Sequence, residues 1–194
     1  MNTTEEPKLA SPGAGLPKVE LLAARLLFTW RRAQGDRESF NGVFQRERER
    51  VRGLVAGLDA DSAARRVLIE RVRGLEDSSR YWSAWMTLDH LRIVHSGMGR
   101  TIASLGRGVV PPGKVSTAAV KPSPDVTAAV VAEYEKSCDD LVATVAGVKD
   151  LNTSARYAHP WFGPLDAAGW HALAAGHLRV HRVQIERIVR GLKS

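Results

Sequence analysis

The sequence predicts an all-α protein, a four-helix bundle in an up-down-down-up arrangement with a long crossover between helices two and three. Three observations predict it. Apolar residues recur at three- and four-residue steps in four long stretches. Strand-period alternation is absent throughout. A segment of about eighteen residues between the second and third stretches, GRGVVPPGKVSTAAVKPSP, holds four prolines and three glycines and cannot be helical.

Taken in order, residues 1–17 offer almost no apolar side chains with which to offset the entropy of ordering, so they read as a flexible tail, and the domain is expected over 18–194. Val19, Leu22, Ala23, Leu26, Leu27 and Trp30 then mark a helix with one buried face. A break at Gly35-Asp36 is expected only to bend it, because the pattern resumes at Phe40, Val43 and Phe44 and runs to Gly57. Residues 58–77 read as a long, partly extended connection with a short helix around Ala60–Arg66, since β-branched residues and Gly74 oppose a long one.

Asp77, Ser78 or Ser79 supplies N-cap chemistry for a second helix over about Arg80–Leu105, with Trp82, Met86, His90 and Gly97 on one face. Antiparallel neighbours need a loop of only a few residues. A connection as long as the proline-rich one can run the length of a bundle, at about 3.3 Å per residue, and bring the third helix back parallel to the second. That third helix is expected after the start signal Ser123-Pro124-Asp125 and to end near Val148. Residues 149–163 form a loop, and Pro164 opens the last helix, which reaches about Leu192.

Composition narrows the function. The chain has 194 residues, 44% hydrophobic and 25% charged, which suits one folded domain. The formal charge is +7, but most of the excess is Arg interleaved with Glu, as in Gln45–Arg52 (QRERERVR). Such alternation reads as a solvated helix face with internal ion pairs, and no aromatic-plus-basic stripe accompanies it, so no specific nucleic-acid partner is expected. Cys138 is the single cysteine and cannot form an internal disulfide, and the N-terminus has no apolar run of a secretory signal. A cytoplasmic protein with no membrane span is expected.

Chemistry concentrates in the histidines. On the last helix the apolar stripe passes through Leu173, His177, His181 and Ile188, placing two imidazoles at i and i+4 on the interior side. A buried imidazole carries a donor and an acceptor that each cost about 1–3 kcal/mol if unsatisfied. Hydrogen bonds to neighbouring helices would satisfy a lone one. Two at this spacing also converge as a helix does when it donates two ligands to a divalent metal. His90 lies on the inward face of helix two and joins them as a third. Three imidazoles plus an open position is the arrangement of a catalytic rather than a structural site.

The other candidates rank lower. Cys138 reads as a small core residue, His95 points to a different face from His90, and His171 falls on a flank of its helix. His159, in the loop sequence HPWFGP, is placed to line a pocket mouth as proton carrier or substrate contact, or else is packed by Trp161 and Phe162. Asp89 and Glu186 are adjacent to proposed ligands and could orient an imidazole, though Asp89 points about 100° away from His90 and reads as solvent-facing. Arg156 is a candidate holder of an anionic substrate.

Two stretches, RYWSAWMTLDHL (80–91) and HPWFGPLDAAGWHALAAGHLRVHRVQIERI (159–188), resemble the DinB/YfiT-like superfamily of bacterial metal-binding four-helix bundles. The resemblance runs from about Lys18 to Leu192. It implies that His90, His177 and His181 are three ligands of a divalent ion, zinc or nickel in the first place and iron or manganese otherwise, with water or substrate completing the shell. It also implies a homodimer and a small-molecule substrate. The expected activity is a hydrolase or a transferase using a low-molecular-weight thiol, the alternative being a non-catalytic metal- or ligand-binding bundle.

Overall fold

The computed structural model describes residues 6–193. It contains six α-helices among these residues: α1 (Lys18–Gln34), α2 (Arg37–Ala56), α3 (Ala60–Ala64), α4 (Ala84–Gly106), α5 (Val130–Gly147) and α6 (Ala167–Gly191). Helices α2, α4, α5 and α6 form the bundle. Contacts fix their directions. His95 faces Cys138 while Gly106 meets Val148, so α4 and α5 run parallel. Phe40 lies on His171 and Glu47 on Arg182, so α2 and α6 are also parallel. Arg37 reaches Val148 and Arg52 reaches Glu135, which sets α2 antiparallel to α5, and Trp82 stacks on His181 while His90 meets His177, which sets α4 antiparallel to α6. The up-down-down-up order is therefore present, with residues 107–129 as the crossover. Its interior is one apolar cluster including Phe44, Val51, Leu88, Leu91, Ile102, Tyr134, Leu141, Leu178 and Ile185.

Several boundaries differ from the sequence reading. The break at Gly35-Asp36 severs the first helix. Gly35 is extended, a Cβ there would collide with the Phe40 ring, and Asp36 caps the next helix by accepting from Ser39 N–H while the Ser39 hydroxyl accepts from Asp36 N–H. Consequently α1 is not a bundle helix. It has no fully buried residue, and the stripe expected to be buried is open: Val19 is 82% exposed, Leu26 66% and Trp30 61%. Periodicity identified an apolar face but not whether anything covers it. The helix is held from its other side, where Phe28 packs on Phe162 with ring centroids 4.7 Å apart and Arg32 pairs with Asp166.

The second bundle helix begins at Ala84, capped by Ser83, whose hydroxyl accepts from Met86 N–H at 3.0 Å. Asp77–Ser79 forms a single 3₁₀ turn instead, and Tyr81–Trp82 pairs antiparallel with Val67–Leu68, as β2 with β1. Helix α5 starts at Val130, beyond the Ser-Pro-Asp signal, where Ser123 makes a local turn instead: its hydroxyl accepts from Asp125 N–H, and its own N–H donates to Asp89 and pins the end of the crossover. Helix α6 starts at Ala167 under an Asp166 cap. The proline ahead of it lies in β4 (Gly163–Leu165), which pairs with β3 (Tyr157–His159) across a turn where Gly163 has φ +71°. Two short hairpin-like pairings thus decorate a helical fold in which no strand was expected.

The QRERERVR stretch also differs. Glu47 and Arg48 are buried rather than solvated, and each bonds across to another helix: Arg48 to Glu135 and Asp139, Glu47 to Arg182. Alternating charge on a helix does not reveal which members face a partner. Residues 6–17 contain no helix or strand, and Ala10 and Gly13 donate backbone N–H groups to Asp77 and Glu76. Residues 1–5 of the expected tail lie outside the described residues. No helix among those described is long and apolar enough to cross a membrane.

Candidate metal centre

Helix α4 supplies His90 and helix α6 supplies His177 and His181, and the three rings meet between the two antiparallel helices. His177 Nε2 lies 3.2 Å from His90 Nε2 and 3.1 Å from His181 Nε2. One ligand atom from each falls within 4.8 Å of the other two. For comparison, three nitrogens each about 2.05 Å from a tetrahedral ion stand about 3.3 Å apart.

Hydrogen bonds on the far side of the rings determine which atoms carry protons. His90 Nδ1–H donates to the Val120 carbonyl at 2.6 Å. His181 Nδ1–H donates to Gln184 Oε1 at 2.6 Å, and Gln184 Nε2–H donates in turn to Ser79 O at 2.7 Å, which orients the amide. Both rings therefore present Nε2 lone pairs to one point. A proton on His177 Nε2 could answer only one of them, and His177 Nδ1 is buried without a partner. The donor set is two or three lone pairs converging without enough protons to satisfy them, which fits a cation.

Burial keeps the rings neutral. Desolvation lowers His90 to about 4, opposed by its bond to Val120. His177 and His181 are held well below the ordinary imidazole value, by desolvation first and then by the neighbouring rings. Trp82 forms a wall against His90 and His181, with centroids 5.2 and 6.3 Å away, and β2 places it there. Lys121 Nζ sits 5.4 Å from the Trp82 ring and pairs with buried Glu76 at 2.9 Å.

One side of the triad opens into a cavity of about 770 Å³ between α4, the crossover and the β3–β4 hairpin. His159 lines this cavity. Its Nδ1 accepts the Trp161 N–H at 3.2 Å, and burial lowers it to about 4, so its proton sits on Nε2 at neutral pH. Arg156 is exposed and does not line the cavity.

The remaining candidates are placed as follows. His95 faces α5, fully buried, with Nδ1 3.6 Å from Cys138 Sγ, and the Cys138 thiol is buried and pushed up to about 12. His171 is not on an exposed flank: it is 3% exposed and bonds Asn41 at 3.0 Å. Asp89 is buried rather than solvent-facing, shared between Arg92 and the Ser123 N–H, because the crossover folds back over it. Glu186 pairs with Arg182 and touches no histidine. Sequence reasoning missed Gln184, Val120, Glu76 and Lys121. Only Gln184 carried a signal, as a polar residue one turn after His181 on the buried stripe.

A model of the DinB superfamily matches residues 43–185, nearly three-quarters of the chain and all three clustered histidines. The chain belongs to the DinB superfamily. Among solved structures, the crystal structure of TT2238, described as a four-helix bundle protein, is 19% identical, with a TM-score of 0.55 over 77% of this chain and 97% of that one. This likeness concerns the fold alone. No curated protein matches the chain. The matched region begins at Val43, so α1 falls outside it.

Proposed function

We propose that this DinB-superfamily chain is a metal-dependent enzyme acting on a small molecule, with His90, His177 and His181 holding a divalent ion, zinc or nickel ahead of iron or manganese. The convergence of three Nε2 atoms beside an open cavity carries the reading. When bound, the ion supplies Lewis-acid chemistry, lowering the pKa of a coordinated water toward about 7 or holding a thiol as thiolate. Hydrolysis and transfer from a low-molecular-weight thiol share this site and differ in the nucleophile.

The protein's own groups do the rest. The Val120 carbonyl and Gln184 hold two rings in the tautomer that faces the ion. Trp82 excludes water from one side. His159 offers an Nε2–H to substrate in the cavity, acting at neutral pH as a hydrogen-bond donor rather than as a proton source, because burial keeps the ring neutral. The absence of any disulfide and the buried Cys138 agree with a cytoplasmic setting.

The partner of α1 is a second copy of the chain. Its stripe of Val19, Leu22, Leu26, Leu27 and Trp30 is uncharged and so self-complementary about a two-fold axis. Standard interfaces cover about 800 Å² per partner around an apolar centre, and these five side chains supply such a centre.

Elemental analysis of tag-free protein tests the metal: about one ion per chain in the wild type and almost none in His177→Ala. An unchanged metal content in that variant would refute the triad. Removal of the ion by chelation is expected to abolish turnover of ester or thiol-acceptor substrates while the helical circular dichroism persists. Collapse of the helical signal would favour a purely structural ion instead.

A further inference from the structure

The cavity extends well beyond the triad along α4. Its wall takes residues from His90 to Arg107 on one face of that helix. Val94, Met98 and Thr101 of α4 and Val115 of the crossover line it. Its charged lining is Glu76, Lys121, Arg100 and Arg107. The first two neutralise each other next to the triad. Arg100 and Arg107 are exposed at the other end, and among the described residues neither guanidinium has an ion-pair or hydrogen-bond partner. Most other arginines that bridge elements here are paired, including Arg32, Arg48, Arg71 and Arg182.

Arg100 follows His90 by ten residues, hence about 15 Å along the helix axis, and Arg107 stands a further two turns on. A ligand of that reach would put its reacting group at the histidines, lay an apolar stretch over Met98 and Val94, and end in an anion at the Arg100 guanidinium, with that of Arg107 next along the groove. We infer that the substrate or cosubstrate of this site is an elongated molecule with an apolar middle and a carboxylate or phosphate terminus about 15 Å from its reacting group, and that Arg100 and Arg107 select that terminus. This rests on the proposed metal site for the reacting end only; the anionic end stands on the groove.

Two probes of equal length separate the ends: ω-mercaptoundecanoic acid and its neutral counterpart, mercaptoundecanol. Binding is followed by tryptophan fluorescence, since Trp161 and Trp170 line the cavity. The acid should bind about tenfold more tightly than the alcohol at low salt. The Arg100→Ala/Arg107→Ala double variant should lose that preference and keep its affinity for the alcohol. Both side chains are at the surface, so an unchanged melting curve is expected to accompany the loss. Equal affinity of wild type for acid and alcohol, or a preference that survives in the double variant, would overturn the inference. Repeating the titration with cobalt-loaded protein distinguishes the two readings. If cobalt neither binds nor tightens the thiols, the metal centre fails, whereas the acid preference of metal-free protein still reports on the arginines.

Discussion

Helix α6 and helix α1 carry the same pattern of apolar residues at helical spacing, yet one buries thirteen residues and the other none. Around α6 several buried polar groups are matched as well. Gln184 is fully buried and spends its amide on His181 and Ser79, and Glu47 receives Arg182 from the neighbouring helix. Helix α1 is attached through a few contacts on one side, such as Arg25 to the Trp161 carbonyl, and leaves its second apolar face open. An apolar stripe states that burial is favourable. Whether it is satisfied inside the chain depends on where the adjoining turn aims the helix, and the turn at Gly35, between α1 and α2, aims α1 away.

Acidification should produce the largest difference between the two regions. His95 and His171 are lowered to about 3 and about 4 by burial, against about 6.5 when unfolded. The unfolded chain therefore binds more protons between those values. The stability they contribute is complete above pH about 6.5 and is lost as pH falls toward 4, at up to about 1.4 kcal/mol per pH unit for each histidine. Urea midpoints measured from pH 7 to 4 should fall steeply, and a flat profile would mean these rings are not buried neutral.

Next in size, Leu178→Ala should cost about 3 kcal/mol in the same denaturation assay, because Leu178 is wholly enclosed. The equivalent change on α1, Leu26→Ala, should cost less than about 0.5 kcal/mol when measured at a dilution where the chain is monomeric. Equal costs would erase the contrast. Gln184→Leu removes the acceptor for His181 and the donor for Ser79 O, and metal affinity by competition with a chelator should drop about 10- to 100-fold. The smallest thermodynamic effect belongs to Leu26→Glu: almost none on monomer stability, but a shift from dimer to monomer in sedimentation equilibrium. A protein that is monomeric before the substitution would leave the α1 stripe without the partner proposed for it.

The four bundle helices and the three clustered histidines were legible because helical periodicity constrains every residue on a stripe, so two imidazoles at interior positions stand out from their neighbours. The crossover was legible from its prolines and its length. What the sequence hid depends on distant pairings. Ser123 looked like a helix cap but closes a turn pinned to distant Asp89, and Glu47 looked solvated until Arg182 reached it. The cap that starts α4 is a serine four residues beyond the nearest competing signal. The Val120 carbonyl is a backbone group, and no residue type announces it.

The bond from His90 to Val120 gives the crossover a role in time as well as in space. His90 leaves the ribosome early, its carbonyl partner follows thirty residues later, and His177 and His181 arrive only with α6. Until then the nascent chain presents only one of the three clustered imidazoles. The three-histidine pocket is thus among the last features to form, so the ion proposed for it would be captured by a nearly folded protein rather than by a growing one.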